Sequence, residues 1–242
     1  MLPDADAVSR AAADLIGSAV RAGATTLGVA TGSSPLGTYA ELGRRVAAGG
    51  LSLAGCDAYL LDEYVGLGAD HPQAYRCVIR RELVRRTDLG DGHVHGPHGD
   101  ADDLDAEARR FEEEVRRARI GVQVLGIGSN GHLGFNEPGS PLDSLTRVVE
   151  LTERTRADNA RFFDRPEDVP RRVLTQGLGT ILRAERLVLL ALGERKADAL
   201  AAALTGPVNP DCPASVLQCH PDVHVLADPG AARGLLDSPR RR

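Results

Sequence analysis

Lysine is all but missing from this chain: of 29 basic residues only Lys196 is a lysine. Cysteine is sparse, and Cys56, Cys77, Cys212 and Cys219 are scattered with no Cys-x-x-Cys pair. That spacing argues against a zinc ribbon or a disulfide framework and fits reduced thiols packed as small apolar groups. No apolar run reaches the roughly 18–20 residues that a membrane-spanning helix needs. Met1-Leu2-Pro3-Asp4-Ala5-Asp6 has neither a basic head nor an apolar stretch behind it, so the expectation is a cytoplasmic protein without a secretory leader. The net charge is −5, and no basic stripe interleaved with aromatics runs along the chain, which argues against a nucleic-acid partner. Arg240-Arg241-Arg242 is too short a basic tail to change this and reads as a frayed end.

What is present is enough apolar sequence to build a sizeable core, 42% of 242 residues, with 26% charged. Val8, Ala12, Leu15, Ala19 and Val20 recur at helical spacing. Residues 25–30 read as a short buried strand, followed by a Gly/Ser turn and by Pro35 in the first turn of another helix. A second strand over 58–61 ends in Asp62-Glu63-Tyr64. Residues 71–86 read as helical, and Leu104, Ala108, Phe111 and Val115 form a clear helical stripe. The segments 121–128, 186–192 and 223–226 complete the set of strands. Strands apolar on both faces and separated by helices imply a parallel sheet covered on both sides. The expectation is one α/β domain over 1–242, with a doubly wound, Rossmann-like, mostly parallel sheet and helices on both faces. Residues 151–175, charged and only partly amphipathic, suit a small lid over it.

In that architecture ligands bind outside the carboxyl ends of the strands, and three motifs fall there. Gly28 to Pro35 (GVATGSSP) runs from strand to helix with small residues, free N–H groups and two hydroxyls, fit either to cradle an anion or simply to cap a helix. It is neither a Walker loop nor G-x-G-x-x-G, so no nucleotide cofactor is indicated. Asp62-Glu63 places two carboxylates at a strand end, of which strand alternation lets only one face a given cleft, unless both belong to a solvated acidic turn. Residues 126–138 (GIGSNGHLGFNEP) expose backbone at the tip of a buried strand, then supply His132 and, five residues on, Glu137. A histidine oriented by a carboxylate is a usual unit for proton transfer near neutral pH. Asn130 is placed to fix the tautomer or to hold a substrate hydroxyl. His93, His95 and His98 lie in a Gly/Pro-containing loop and read as surface rather than as a metal site. Cys212, Cys219 and His220 come with no oxyanion loop or ligand spacing and read as packing.

Taken together, ATGSSPLGTY, LDEYVGL with HPQAY after it, GIGSNGHLGFNEPGSPLDSLTR, TRADNARFF and LGERKADAL make the chain resemble the glucosamine-6-phosphate deaminase family, from the first helix through Asp228. The resemblance implies a modified Rossmann fold with a mobile lid and a small amino-sugar phosphate as substrate, with no metal and no cofactor. It implies Asp62 as the base that moves a proton between C2 and C1, and His132 with Glu137 and Asn130 as the ring-opening group. An asparagine carries no charge, so Glu137 is expected to do most of the orienting. For the phosphate it implies Gly32, Ser33, Ser34, Arg161 and Lys196. Members regulated by an acetylated amino-sugar phosphate carry a basic residue shortly after the arginine that matches Arg147, whereas Val149 stands here. The chain also ends soon after Asp228. A monomer or small homo-oligomer is therefore expected, rather than an allosteric hexamer. A 6-phosphogluconolactonase would share the fold but lack LDEY and N-E-P. A sugar-phosphate sensor would carry a DNA-binding helix pair ahead of a sheet that here begins by Thr25. The glucose and galactose epimers are not distinguished by these residues.

Overall fold

The first helix, α1 (Ala5–Arg21), starts where Asp4 accepts the Ala7 N–H at 2.6 Å; such a cap stabilises a helix by about 1 kcal/mol. It leads into β1 (Thr26–Val29) and α2 (Leu36–Ala47), and then into β2 (Asp57–Leu60) and β3 (Asp62–Tyr64). These elements belong to a computed structural model that describes residues 1–236, so the Arg240-Arg241-Arg242 tail lies outside the described residues. Next come α3 (Tyr75–Glu82), β4 (Val94–His95), α4 (Leu104–Ala118) and β5 (Val122–Gly126). After a long turn follow β6 (Arg147–Glu150), α5 (Glu153–Asn159), β7 (Arg172–Thr175) and α6 (Leu178–Ile181). The chain continues through β8 (Arg186–Ala191), α7 (Ala197–Thr205), β9 (Val223–Ala227) and α8 (Pro229–Leu236).

Six strands form one parallel sheet in the order β4-β2-β1-β5-β8-β9. Its middle strands are buried on successive residues, hence on both faces: Val122, Val124 and Leu125 in β5, and Leu187 to Ala191 in β8, are almost wholly inaccessible. Only helices packed on both sides can produce this pattern. From β1 the chain works outward to β2 and β4, whereas from β5 it works outward to β8 and β9. The direction reverses between β1 and β5, and a crevice must open beyond their carboxyl ends.

The second sheet has three strands, β3-β7-β6, and is antiparallel. Its register pairs Asp62 with Thr175 and Arg147 with the same threonine. LDEY is therefore not a continuation of β2: the strand leaves the main sheet at Leu61 and enters the small one. Residues 151–175 do not form one uniform segment either. The last four form β7, and α5 with the two 3₁₀ turns after it occupies the rest. The segment is pinned to a separate apolar cluster of Tyr64, Phe135, Leu151 and Val173, against which Tyr75 and Phe163 pack. The helix expected over 71–86 is shorter, because residues 68–74 make turns and Leu83 (φ −115°) interrupts it before a 3₁₀ turn. The cause is local. The Glu63 carboxylate takes the N–H groups of Tyr75 and Arg76 at 2.8 and 3.0 Å, which fixes where α3 begins.

Candidate active site

Loops leaving the neighbouring parallel strands β1, β5 and β8 emerge side by side at the crevice. Residues 30–35 carry the chain from β1 into α2, and among the described residues the N–H groups of Gly32, Ser33 and Ser34 and both serine hydroxyls have no partner in the protein. Ser33 is exposed and Ser34 half-buried. Donors clustered at the start of a 12-residue helix and left unsatisfied by the fold are suited to an anion.

The turn after β5 carries the imidazole. The Gly128 N–H donates to the His132 carbonyl at 3.0 Å, and the Gly131 N–H to the Gly128 carbonyl at 3.1 Å, closing a tight loop. A methyl group on Gly128 would sit 2.4 Å from the His132 ring, so glycine is what allows the imidazole to lie over the backbone. His132 Nδ1 is buried without a hydrogen bond, and its nearest carboxylate oxygen is Glu137 Oε2 at 3.6 Å. Asn130 joins the two residues. Its amide donates to Glu137 Oε2 at 2.6 Å while its carbonyl accepts the His132 N–H at 3.3 Å. Burial raises the Glu137 pKa, but the neighbouring His132 and the hydrogen bonds from Thr155 and Asn130 outweigh it and hold the carboxyl at about 2. Glu137 is thus an anion throughout the physiological range.

Asp62 and Glu63 are adjacent, both 5% exposed, and in opposite situations. Glu63 accepts the N–H groups of Tyr64, Tyr75 and Arg76 and serves the start of α3. The Asp62 carboxylate makes no hydrogen bond among the described residues. Burial, and secondarily the charge of Glu63, push its pKa well above the ordinary carboxylate value. Its Oδ2 faces Gly134, where a side-chain carbon would lie 3.5 Å away, and Gly134 adopts φ +55° two residues beyond His132. The carboxylate and the imidazole therefore border the same turn.

Lys196 follows β8 at the start of α7 and is half-buried. Burial lowers its pKa, Asp158 opposes that shift, and the nearby positive charges of Arg161, Arg154 and Arg195 add to it. Arg161, in the turn after α5, lies over the Phe162 ring at 4.7 Å. These cations share one field, and Arg154 ties it to the turn after β5, because its Nη2 donates to the Ser129 hydroxyl at 3.0 Å.

Similarity to known proteins agrees with this geometry. Residues 3–225 match the family described as glucosamine-6-phosphate isomerases/6-phosphogluconolactonase. The chain belongs to that family. Within it, the chain is 54% identical over 229 residues to a glucosamine-6-phosphate deaminase of Rhodococcus opacus (strain B4), covering 94% of this chain and 88% of the relative. It is 53% identical to one of Cutibacterium acnes, covering 96% and 90%. A solved structure described as a monomeric glucosamine-6-phosphate deaminase superposes with a TM-score of 0.93 at 40% identity, covering 96% of this chain and 97% of that one. A 6-phosphogluconolactonase of Trypanosoma brucei superposes with a TM-score of 0.76 at 21% identity, covering 97% of each chain, which shows a shared fold.

The structure thus brings Asn130, His132 and Glu137 into bonding or near-bonding distance, sets Asp62 against their turn, and gathers Arg161 and Lys196 into one cationic group. His93 and His95 stand elsewhere, both hydrogen-bonded to Asp57 at the start of β2, at 3.1 and 2.7 Å. Cys212 packs against the outside of the turn, within 2.8 Å of where a Gly131 side chain would begin. Sequence reasoning passed over Arg154, Thr152 and Thr155. Thr152 signals itself as the N-cap of α5, a polar residue ahead of Glu153 whose hydroxyl accepts the Thr155 N–H at 3.2 Å. The reach of Arg154 and Thr155 to the β5 turn is a tertiary fact with no local signature.

Proposed function

We propose that this family member converts glucosamine 6-phosphate to fructose 6-phosphate and ammonia, with Asp62 as the proton shuttle. The observation that carries the reading is a buried carboxylate without hydrogen-bond partners, set against the turn that bears an imidazole and its anionic partner. A carboxylate held ready but unsolvated is a stronger base than one in water, because burial raises its proton affinity.

The phosphate docks on the free N–H groups and hydroxyls at Gly32, Ser33 and Ser34, with Arg161 and Lys196 supplying charge. That binding energy is remote from the reacting carbons and serves to orient them. His132, with Glu137 and Asn130 behind it, moves the proton that opens the pyranose ring. Asp62 takes the C2 proton and returns it to C1, so the aldose amine passes through an enolamine to the 2-imine. Water adds at C2 and the C–N bond breaks with release of ammonia, which yields the ketose. The segment over 151–171 acts as the lid that keeps bulk water from the enolamine.

The chain's place as a cytoplasmic monomer or small oligomer is part of the same reading. It is supported by the 40% identical solved deaminase described as monomeric. No helix among the described residues is long and apolar enough to cross a membrane. The test is to incubate the purified chain with glucosamine 6-phosphate and EDTA and to assay both products. Equimolar ammonia and fructose 6-phosphate are expected. Hydrolysis of 6-phosphogluconolactone without ammonia release from the amino sugar would overturn the assignment.

A further inference from the structure

Glu137 has a second set of contacts that its role toward His132 does not require. Its Oε2 faces the turn, where Asn130 Nδ2 holds it at 2.6 Å. Its Oε1 faces α5 and accepts the hydroxyl of Thr155, a residue only 4% exposed. The Thr152 hydroxyl lies 3.4 Å from the same oxygen and 3.1 Å from the Thr155 hydroxyl. Each carboxylate oxygen is thus held by a different part of the protein, one by the rigid turn after β5 and the other by the first turn of the lid helix. A carboxylate rotates about a single torsion, so fixing both oxygens fixes the plane that faces His132 Nδ1.

We infer that Thr155 is a positioning residue for the ring-opening step, coupling the seating of α5 to the orientation of Glu137 and hence of His132. The inference rests on the reaction assigned above. With α5 seated, the buried hydroxyl locks Glu137 and the imidazole is aligned. With α5 displaced, Oε1 loses its donor, the carboxylate plane is free to turn, and His132 Nδ1 keeps no fixed partner. Ring opening would then await lid seating, which would delay formation of the water-sensitive enolamine until the site is covered. The competing view is that Thr155 merely stabilises α5, whose continuation carries Arg161. The two views differ in what they disturb. Loss of alignment slows turnover at saturating substrate, whereas loss of the Arg161 anchor weakens binding of any phosphate ligand.

The experiment compares the wild type with Thr155→Val and Thr155→Ser. It uses glucosamine 6-phosphate as substrate and, as a binding probe, the alditol made by reducing it, which keeps the phosphate and the amine but has no ring to open. Thr155→Val is expected to lower kcat about 10-fold while the alditol Kd stays within about twofold of wild type. Thr155→Ser, which restores the hydroxyl, should recover most of the rate. An unchanged kcat in the valine variant, or an alditol Kd weakened in step with kcat/KM, would overturn the role, as would a serine variant no faster than valine. The alditol Kd also reports whether the valine variant has folded. A wild-type chain that releases no ammonia would end both the assigned reaction and this role. A wild type that turns over beside an equally fast valine variant would end this role alone.

Discussion

The two ends of the crevice are built on opposite plans. At the end proposed for the chemistry the two carboxyl groups are withdrawn from water: Asp62 is 5% exposed, and Glu137 is enclosed by donors from Asn130 and Thr155. At the end proposed for the phosphate the charged groups are cationic and more open, with Arg154 and Arg161 exposed, Lys196 half-buried and the neutral Ser33 exposed as well. The strength of an electrostatic group depends on its surroundings, so the same unit charge does different work in the two places. Burial makes the carboxylate a better base, whereas exposure lets several cations share one doubly charged ligand without a large desolvation cost. The division implies that substitutions at the buried end act on kcat and those at the open end on KM.

The sharpest trial of that division is Asp62→Asn. Turnover should fall about 10²–10⁴-fold, the range for removing a general base, with the alditol still bound. The same substitution should raise Tm at pH 7. The folded-state pKa of Asp62 lies well above its unfolded value, so above that unfolded value the ionised form is penalised in the fold and the wild type gives up stability as pH rises. A neutral amide removes the penalty, and each kcal/mol relieved is worth about 2–4 °C in a chain of this size. Near-normal ammonia release in this variant would show that the base lies elsewhere.

Lys196→Ala should raise KM about 10–100-fold with little change in kcat, as loss of one charge-assisted contact to phosphate predicts. The lysine also brings a pH signature. Its pKa is lowered by burial and by neighbouring arginines, so phosphate binding should weaken, as pH rises, at a lower pH than an ordinary lysine would give. The alanine variant should lack that alkaline limb in a pH titration of KM. The smallest effect belongs to Arg154→Ala, about two- to fivefold in KM, because an exposed guanidinium contributes only about 0.2–1 kcal/mol. A kcat effect from either cation that exceeds its KM effect would break the division between the two ends.

The main sheet was legible because burial on both faces writes itself into β5 and β8 as continuous apolar runs, and the glycines beyond β5 mark where backbone must be exposed. The small antiparallel sheet was not. β3 is three residues long and follows β2 after a single residue, so nothing in the sequence marks the change of sheet at Leu61. Its partners β6 and β7 are short and flank a charged segment, and β6 is only partly buried. The residues of the turn after β5 could be named from sequence because they lie within one contiguous stretch. The distinct fates of Asp62 and Glu63 could not be, because what separates them is α3, whose first N–H groups claim one carboxylate and leave the other bare.

The near-total absence of lysine has a practical consequence at the bench. A primary amine is what common acylating reagents attack, and apart from the chain terminus this molecule offers one, standing among the arginines beside the crevice. Because nearby positive charge and enclosure favour its unprotonated form, that nitrogen is a better nucleophile than a surface lysine. Acylation at Lys196, counted apart from the terminal amine, would therefore report occupancy of the end proposed for the phosphate, with bound ligand slowing the reaction.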